Sequence, residues 1–352
     1  MSSIRQRIAR LAERLPEPST ETTLGAVALG LRNRLVPEPE VPPLGPDERL
    51  EGRTVLVTGA SAGIGFAVAQ QLAARGARLL LACRSGFPEV GEAVNAAARY
   101  GGSATMLHVD LAELASIESL VQRLGETLAG DTLDAVVLNA GLVPSRARRT
   151  GAGFELMFMV NYLANPALLR GLLDGGLLRP DAARPPRVVV VSSETHRSVE
   201  PRDPSRVGHF VDYGATGSMA EYSQTKLLLS AWAMDEARRH RTPAGQPTLA
   251  VFHCCPGAVA TKIARDAPAF VQPALDAVMR RLFMSPEEGA FPVTYLTCAR
   301  ALEGRSGVYL HVRTEKPAAP ATEDAAYGAG LRAATAALLE RGHAPGAPGR
   351  NS

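Results

Sequence analysis

A chain of 352 residues, 46% of them hydrophobic, is long enough to bury a full α/β core and carry extensions. Its formal net charge of +3 arises from 38 basic and 35 acidic residues that are interspersed, which excludes the concentrated basic face that nucleic-acid binding needs. The four cysteines, Cys83, Cys254, Cys255 and Cys298, have neither the CxxC spacing of a zinc site nor the density of a disulfide scaffold, so no metal site is expected and a reducing cytoplasm fits.

Residues 1–50 read as an extension ending in the proline-rich linker VPEPEVPPLGP, which proline holds extended. Ile4, Ile8, Leu11 and Leu15 form one apolar stripe, and Arg5, Arg7, Arg10 and Arg14 oppose the single acid Glu13, the pattern of a short basic amphipathic helix. A stripe that narrow suits docking on protein, its own domain or a partner subunit, ahead of peripheral contact with an anionic membrane surface. The apolar run Leu24 to Leu31 is far shorter than the roughly 20 residues of a membrane span.

From Arg53 the segments TVLVTG, RLLLAC, ATMLHVD, LDAVVLNAG, RVVVVSS, TLAVFHC and SGVYLHV read as strands separated by helical stretches. That alternation predicts a single α/β domain over 51–341, a Rossmann-type doubly wound parallel sheet of about seven strands with helices on both faces. His253, Cys254 and Cys255 are consecutive on a strand, point alternately to opposite faces and cannot converge on one metal. A last helix is expected over Glu323 to Glu340, followed by a flexible tail, 342–352.

The first strand runs into the turn TGASAGIG, Thr58 to Gly65, and then into a helix with Ile64, Val68 and Leu72 at helical spacing. Gly59 can turn tightly, Gly63 lets the backbone approach a pyrophosphate and Gly65 lets helix pack on strand, while the helix N-terminus presents amide donors. The second strand ends Ala82-Cys83-Arg84-Ser85, with no carboxylate until Glu89 to accept a ribose 2′-hydroxyl. A guanidinium there suits a 2′-phosphate, so NADP(H) is expected rather than NAD(H).

Tyr222 and Lys226 stand at i and i+4 on a long predicted helix, MAEYSQTKLLLSAWAMDEARR, and so share a face. With only three lysines in the chain the pairing is not a casual one. A phenol with an ordinary pKa of about 10 exchanges protons poorly at neutral pH, so an adjacent ammonium and the positive oxidised nicotinamide are together expected to favour its ionised form.

The Gly-x3-Gly-x-Gly turn, the Tyr-x3-Lys pair and the strand order resemble the compact, single-domain branch of the short-chain dehydrogenase/reductase family over about Arg53 to Leu339. The resemblance implies cofactor contacts at Gly59, Ser61, Gly63, Ile64 and Gly65, at Asp110 and Leu111 after the third strand, and at Asn139, Ala140 and Gly141 after the fourth. It further implies contacts at Arg84, Tyr222, Lys226, Pro256, Gly257, Val259 and Thr261. It makes Tyr222 the general acid in reduction and base in oxidation, gives Lys226 a bond to the nicotinamide ribose, and places Asn161 on a proton-relay water. Ser193 would donate to the substrate oxygen, since alternation turns Ser192 the other way. A hydrolase using Ser193 and His196 is disfavoured because VVSSETH lacks the G-x-S-x-G elbow.

The 28 residues between Ser193 and Tyr222 and the run SPEEGA are similar to the retinol dehydrogenase-like subgroup, implying a small-molecule carbonyl or alcohol that is fairly bulky and lipophilic. Ala267 to Phe283 can form a lid or pack on the sheet, and a homo-oligomer is compatible with the family. Two other functions stay open: an NADP(H)-binding sensor or scaffold without turnover, and a reductase of carbon–carbon double bonds.

Overall fold

The computed structural model describes residues 39–257 and 284–342. Val259 and Thr261, the Ala267–Phe283 segment, the N-terminal amphipathic stripe and the C-terminal tail lie outside the described residues.

Eight strands form one sheet: β1 Thr54–Thr58, β2 Arg78–Cys83, β3 Ser103–His108, β4 Ala135–Leu138, β5 Arg187–Val191, β6 Ala250–Cys255, β7 Val308–His311 and β8 Thr314–Glu315. Their order is β3-β2-β1-β4-β5-β6-β7-β8, parallel except for the two-residue β8, which pairs antiparallel with β7. Seven of the eight were expected; β8 is too short to leave a period-two pattern.

Both faces are buried, and the residues divide between them by parity. Leu56, Leu80, Val136, Leu138, Val188, Val190 and Val251 face one apolar cluster. Val55, Val57, Leu79, Leu81, Val137, Val189 and Phe252 face the other. On the second face lie α1 Gly63–Ala73, which packs on α2 Glu89–Ala97, and α6 Phe291–Cys298. Against the first lie α3 Leu114–Leu128, α4 Ala164–Asp174, α5 Ser218–Arg239 and α7 Ala325–Gly342. The expected C-terminal helix is therefore present, shifted by two residues and preceded by the short turn Pro320–Glu323.

The segment Leu156–Asp174 is long and apolar enough to cross a membrane by composition, but 72% of its most apolar window is buried inside the fold. It is a core element, made of a short helical turn Leu156–Phe158, a π-helical turn Met159–Leu163 and α4.

The second half of the expected linker is packed rather than merely extended. Val41 donates its N–H to the Arg313 carbonyl at 2.7 Å, Glu40 bridges Thr314, and Val41 and Leu44 lie against the core. Glu48 Oε1 accepts from the Arg300 N–H at 2.9 Å. Among the described residues, contributions to the fold thus start at Glu40, ahead of Arg53.

Strand order reverses between β1 and β4, so the carboxyl ends of those strands and of β5 open a crevice at the switch point, where ligands of open α/β sheets bind.

Candidate active site

The turn after β1 is shaped by backbone. Gly59 and Gly63 have φ of 69° and 58°, conformations an L-residue adopts at a cost. A Cβ on Gly65 would stand 2.3 Å from both the Gly59 carbonyl oxygen and Asn139 Nδ2, so only glycine lets α1 approach β1 and β4 this closely. Ala62 precedes α1 without a side-chain cap and no acid lies in the first turn. Nothing anionic therefore competes at this N-terminus, and its dipole and amides suit a pyrophosphate.

Asn139 secures the neighbouring strand end. Its Nδ2 donates to the Thr58 and Gly59 carbonyls at 3.0 and 3.2 Å, and its own N–H donates to Thr58 Oγ1 at 3.0 Å. Ala140 donates to the same hydroxyl at 3.2 Å. Thr58 was not anticipated as a site residue; its signal is a hydroxyl at the last position of an otherwise apolar strand. A Cβ built on Gly141 would lie 3.5 Å from Asn161 Oδ1 and 3.6 Å from Lys226 Nζ, which places the end of β4 directly beside the catalytic candidates.

Arg84, with a side chain 69% exposed, leaves the end of β2 with Asp110 Oδ2 4.0 Å away. A Cβ on Gly86, two residues on, would lie 3.4 Å from Ser61 of the glycine turn, so the segment after β2 borders the cradle. Asp110 Oδ1 accepts from the Ala112 N–H at 2.9 Å, and Leu111 is buried in the core. Gly257, at φ 85°, passes between Met284 and Val312 where a Cβ would stand under 3 Å from each; Pro256 precedes it directly after β6.

Ser193, Tyr222, Lys226 and Asn161 come together. The Tyr222 phenol lies within reach of the Ser193 hydroxyl, which acts to lower its pKa. Lys226 Nζ donates to the Val191 carbonyl at 2.7 Å and lies 5.7 Å from the Tyr222 ring centre. Asn161 sits on the π-helical turn, where its Oδ1 accepts from the Leu142 N–H at 2.8 Å and its Nδ2 donates to the Leu142 carbonyl at 2.9 Å. Ser192 does point away: its hydroxyl is bonded to Ser230 on α5 at 2.7 Å.

The expected favouring of the phenolate needs Lys226 and the oxidised nicotinamide together, and in the protein by itself burial dominates both side chains. Burial pushes Tyr222 up to about 12 against the smaller lowering effect of the Ser193 hydroxyl, and burial pushes Lys226 down to about 8. The short bond of the ammonium goes to the Val191 carbonyl rather than to the phenol.

Ser193 is surrounded by Thr195, which the sequence reading passed over, and by His196, which it weighed only as a hydrolase partner. Thr195 Oγ1 donates to Ser193 Oγ at 3.1 Å, and His196 Nδ1 lies 2.6 Å from the Ser193 carbonyl oxygen. The sequence signal was a polar cluster, SETH, directly after an apolar strand. Asn165 Nδ2 donates to the Asn161 carbonyl at 3.0 Å, bracing the π-helical turn. The four cysteines are buried, as are His253 and its neighbours, and no cluster of metal-ligating residues occurs among the described residues.

A doubly wound sheet with a glycine turn and an uncapped helix N-terminus at its switch point is the architecture of dinucleotide-binding proteins. The family model for short chain dehydrogenase matches residues 53–203. Retinol dehydrogenase 14 of Mus musculus is 32% identical over 291 residues, 78% of this chain and 82% of that protein. Polyprenol dehydrogenase of Mus musculus is 33% identical over 277 residues, 78% of this chain and 79% of that one. Among solved structures, the Pseudomonas aeruginosa RhlG/NADP active-site complex matches with a TM-score of 0.57 at 25% identity, covering 76% of this chain and 97% of that chain. The chain belongs to the short-chain dehydrogenase/reductase family, oxidoreductases that bind a nicotinamide cofactor and act on small molecules.

Proposed function

We propose that the protein is an NADP(H)-dependent oxidoreductase that interconverts a carbonyl and an alcohol, with Tyr222 as general acid and base. The carrying observation is the convergence of Ser193, Tyr222 and Lys226 at the crevice, the serine hydroxyl acting to lower the phenol's pKa and Lys226 standing one helical turn beyond. With Tyr222 near 12 and Lys226 near 8, both are protonated at pH 7, the state needed to give a proton and to receive the negative charge left behind.

In reduction, the substrate oxygen accepts hydrogen bonds from Ser193 and Tyr222 while the nicotinamide, when bound, supplies a hydride to the carbonyl carbon. As charge grows on that oxygen, Tyr222 passes its proton to it and Ser193 stabilises what remains. The resulting phenolate is favoured by the Lys226 ammonium on the same helix face. Oxidation reverses each transfer. Asn161 braces the loop after β4 against α5, keeping Gly141 open beside Lys226.

NADP(H) is favoured over NAD(H) by Arg84 directly after β2, a strand end followed by no carboxylate before Glu89 that would accept a 2′-hydroxyl. A bulky lipophilic substrate is supported by Val143, 48% exposed just beyond Leu142, and by relatives named for retinol and polyprenol.

Purified protein assayed with NADPH and NADH against aldehydes, ketones and enones tests this reading. NADPH-linked turnover of bulky apolar aldehydes or ketones is expected. Turnover confined to enones would replace it with carbon–carbon double-bond reduction, and NADPH binding without turnover would replace it with a sensor or scaffold.

A further inference from the structure

Directly after Ser193 the chain makes one 3-10 turn, Glu194–Arg197, which seats His196 under the crevice with no exposed surface. Two backbone groups bracket its ring: Nδ1 is 2.6 Å from the Ser193 carbonyl oxygen and Nε2 is 3.1 Å from the Ala319 nitrogen. A carbonyl can only accept and an amide N–H can only donate. Nε2 must therefore accept from Ala319, and Nδ1 must carry the hydrogen that it donates to Ser193. This fixes one neutral tautomer, and burial holds it by pushing the imidazole down to about 4. The ring is walled edge-on by Tyr309, whose centre is 5.0 Å away, and the Tyr309 hydroxyl donates to Glu194 Oε2 at 2.5 Å.

We propose that His196 is a positioning residue for Ser193, bolting the serine to the segment after β8 so that its hydroxyl keeps its place relative to Tyr222. The inference rests on the reading of Ser193 and Tyr222 given above. Two connections carry it from the ring to the reacting groups. The turn that His196 pins also holds Thr195, whose hydroxyl donates to Ser193 Oγ and so leaves the serine hydrogen to point outward. On the other side, Ala319 leads into the turn Pro320–Glu323, where the Thr322 carbonyl accepts from Arg238 of α5 at 2.9 Å. That helix bears Tyr222 and Lys226, and it also packs directly on the Glu194–Arg197 turn. Serine and tyrosine are thus registered to each other through a closed path with His196 at its centre.

The two bonds can be separated by isosteres. His196→Asn keeps a donor where Nδ1 sits, and His196→Gln keeps an acceptor where Nε2 sits. Ala319→Pro deletes the N–H from the opposite side without touching the histidine, at a residue whose φ of −59° already suits proline. Misplacing a reacting group by a fraction of an ångström to an ångström costs up to about a hundredfold in rate, so His196→Gln should lower kcat about tenfold or more with NADPH affinity and KM within about twofold. His196→Asn should restore kcat to within about threefold of wild type, and Ala319→Pro should cost a few-fold. A merely structural histidine would instead lower the melting temperature of both His196 variants alike and leave kcat per folded molecule unchanged. Wild-type kcat in folded His196→Gln or, should that variant not fold, in Ala319→Pro overturns the inference. Tyr222→Phe is measured alongside, because turnover surviving that change would instead overturn the reading on which the inference rests.

Discussion

The two halves of the crevice are built by opposite means. At the end of β1 the cradle is made from what residues lack: Gly59 and Gly65 leave out a Cβ that would strike backbone, and Ala62 leaves the helix end uncapped. At the end of β5 the site is made from what residues carry: hydroxyls of Ser193 and Tyr222 within reach of each other, and a buried ammonium on Lys226. Cofactor binding should therefore be sensitive to added atoms and nearly blind to removed ones, and proton transfer the reverse.

Tyr222→Phe tests the second half most severely. It removes the transferable proton and keeps the ring, so turnover should fall by about a thousandfold, within the range for a positioned acid, while NADPH binding changes little. Turnover within a few-fold of wild type would dissolve the contrast. Lys226→Arg should also be poor despite equal charge, because a planar fork cannot replace a compact ammonium over the Val191 carbonyl.

Gly65→Ala is the matching test of the first half. Overpacking of this kind costs about 1–3 kcal/mol, so NADPH affinity should drop by about ten- to hundredfold. Because the added Cβ meets the Gly59 carbonyl, the melting temperature should fall with it. Wild-type affinity by fluorescence titration would mean that the close approach of helix and strand is not needed.

Beneath the catalytic half, pH offers a third test. His196 titrates near 4 when folded and near 6.5 when unfolded, so between those values the unfolded chain binds the extra proton. Its neutral burial is without penalty above 6.5 and costs stability as pH falls toward 4, by up to about 1.4 kcal/mol per pH unit. The melting-temperature gap between wild type and His196→Gln should therefore close as pH falls from 7 to 4.5. A constant gap would show that His196 does not stay neutral.

The contrast also explains what could be read in advance. Backbone cradles demand glycine, and strand faces demand alternating apolar residues, so both leave spacing in the sequence; β1 to β7 and the Thr58–Gly65 turn were legible for that reason. Tyr222 and Lys226 were legible because a helix makes i and i+4 neighbours. Thr195 and His196 were not, because their roles depend on Ala319 and on a turn whose geometry only tertiary packing determines. The burial that raises Tyr222 and lowers Lys226 was not legible for the same reason, since sequence shows charge proximity but not depth in the fold. β8 and the packing of Val41 and Leu44 belong to the sheet edge, where two-residue pairings leave no periodicity.

Arg84 is the exception within the cofactor half, a side chain that should act by its presence. It is 69% exposed and has Asp110 within 4.0 Å, so the lower end of a charged hydrogen bond, about 1.5 kcal/mol, is the expected loss for NADPH in Arg84→Ala. NADH binding should barely change. Equal losses for both cofactors would show that Arg84 does not read the 2′-phosphate.

The smallest effects should come from the sheet edge where Glu40 and Val41 pair, away from both halves of the crevice. The first described contacts to the sheet are those of Glu40 and Val41 with Thr314 and Arg313, on the strand farthest from β3. Deleting residues 1–38 removes none of them, so NADPH affinity and kcat should stay at wild-type values. Deleting residues 1–45 also removes Val41 and Leu44, both only partly buried against the core. Together they should contribute about 1–2 kcal/mol, below the value for two fully buried side chains. In a domain of this size that corresponds to a melting temperature lower by roughly 2–8 °C. Cofactor affinity and kcat should still be unchanged, because β7 and β6 separate this edge from Ser193. A truncation that altered kcat without altering the melting temperature would mean that the edge communicates with the catalytic half by a route other than stability, and the division between the two halves would then need a third participant.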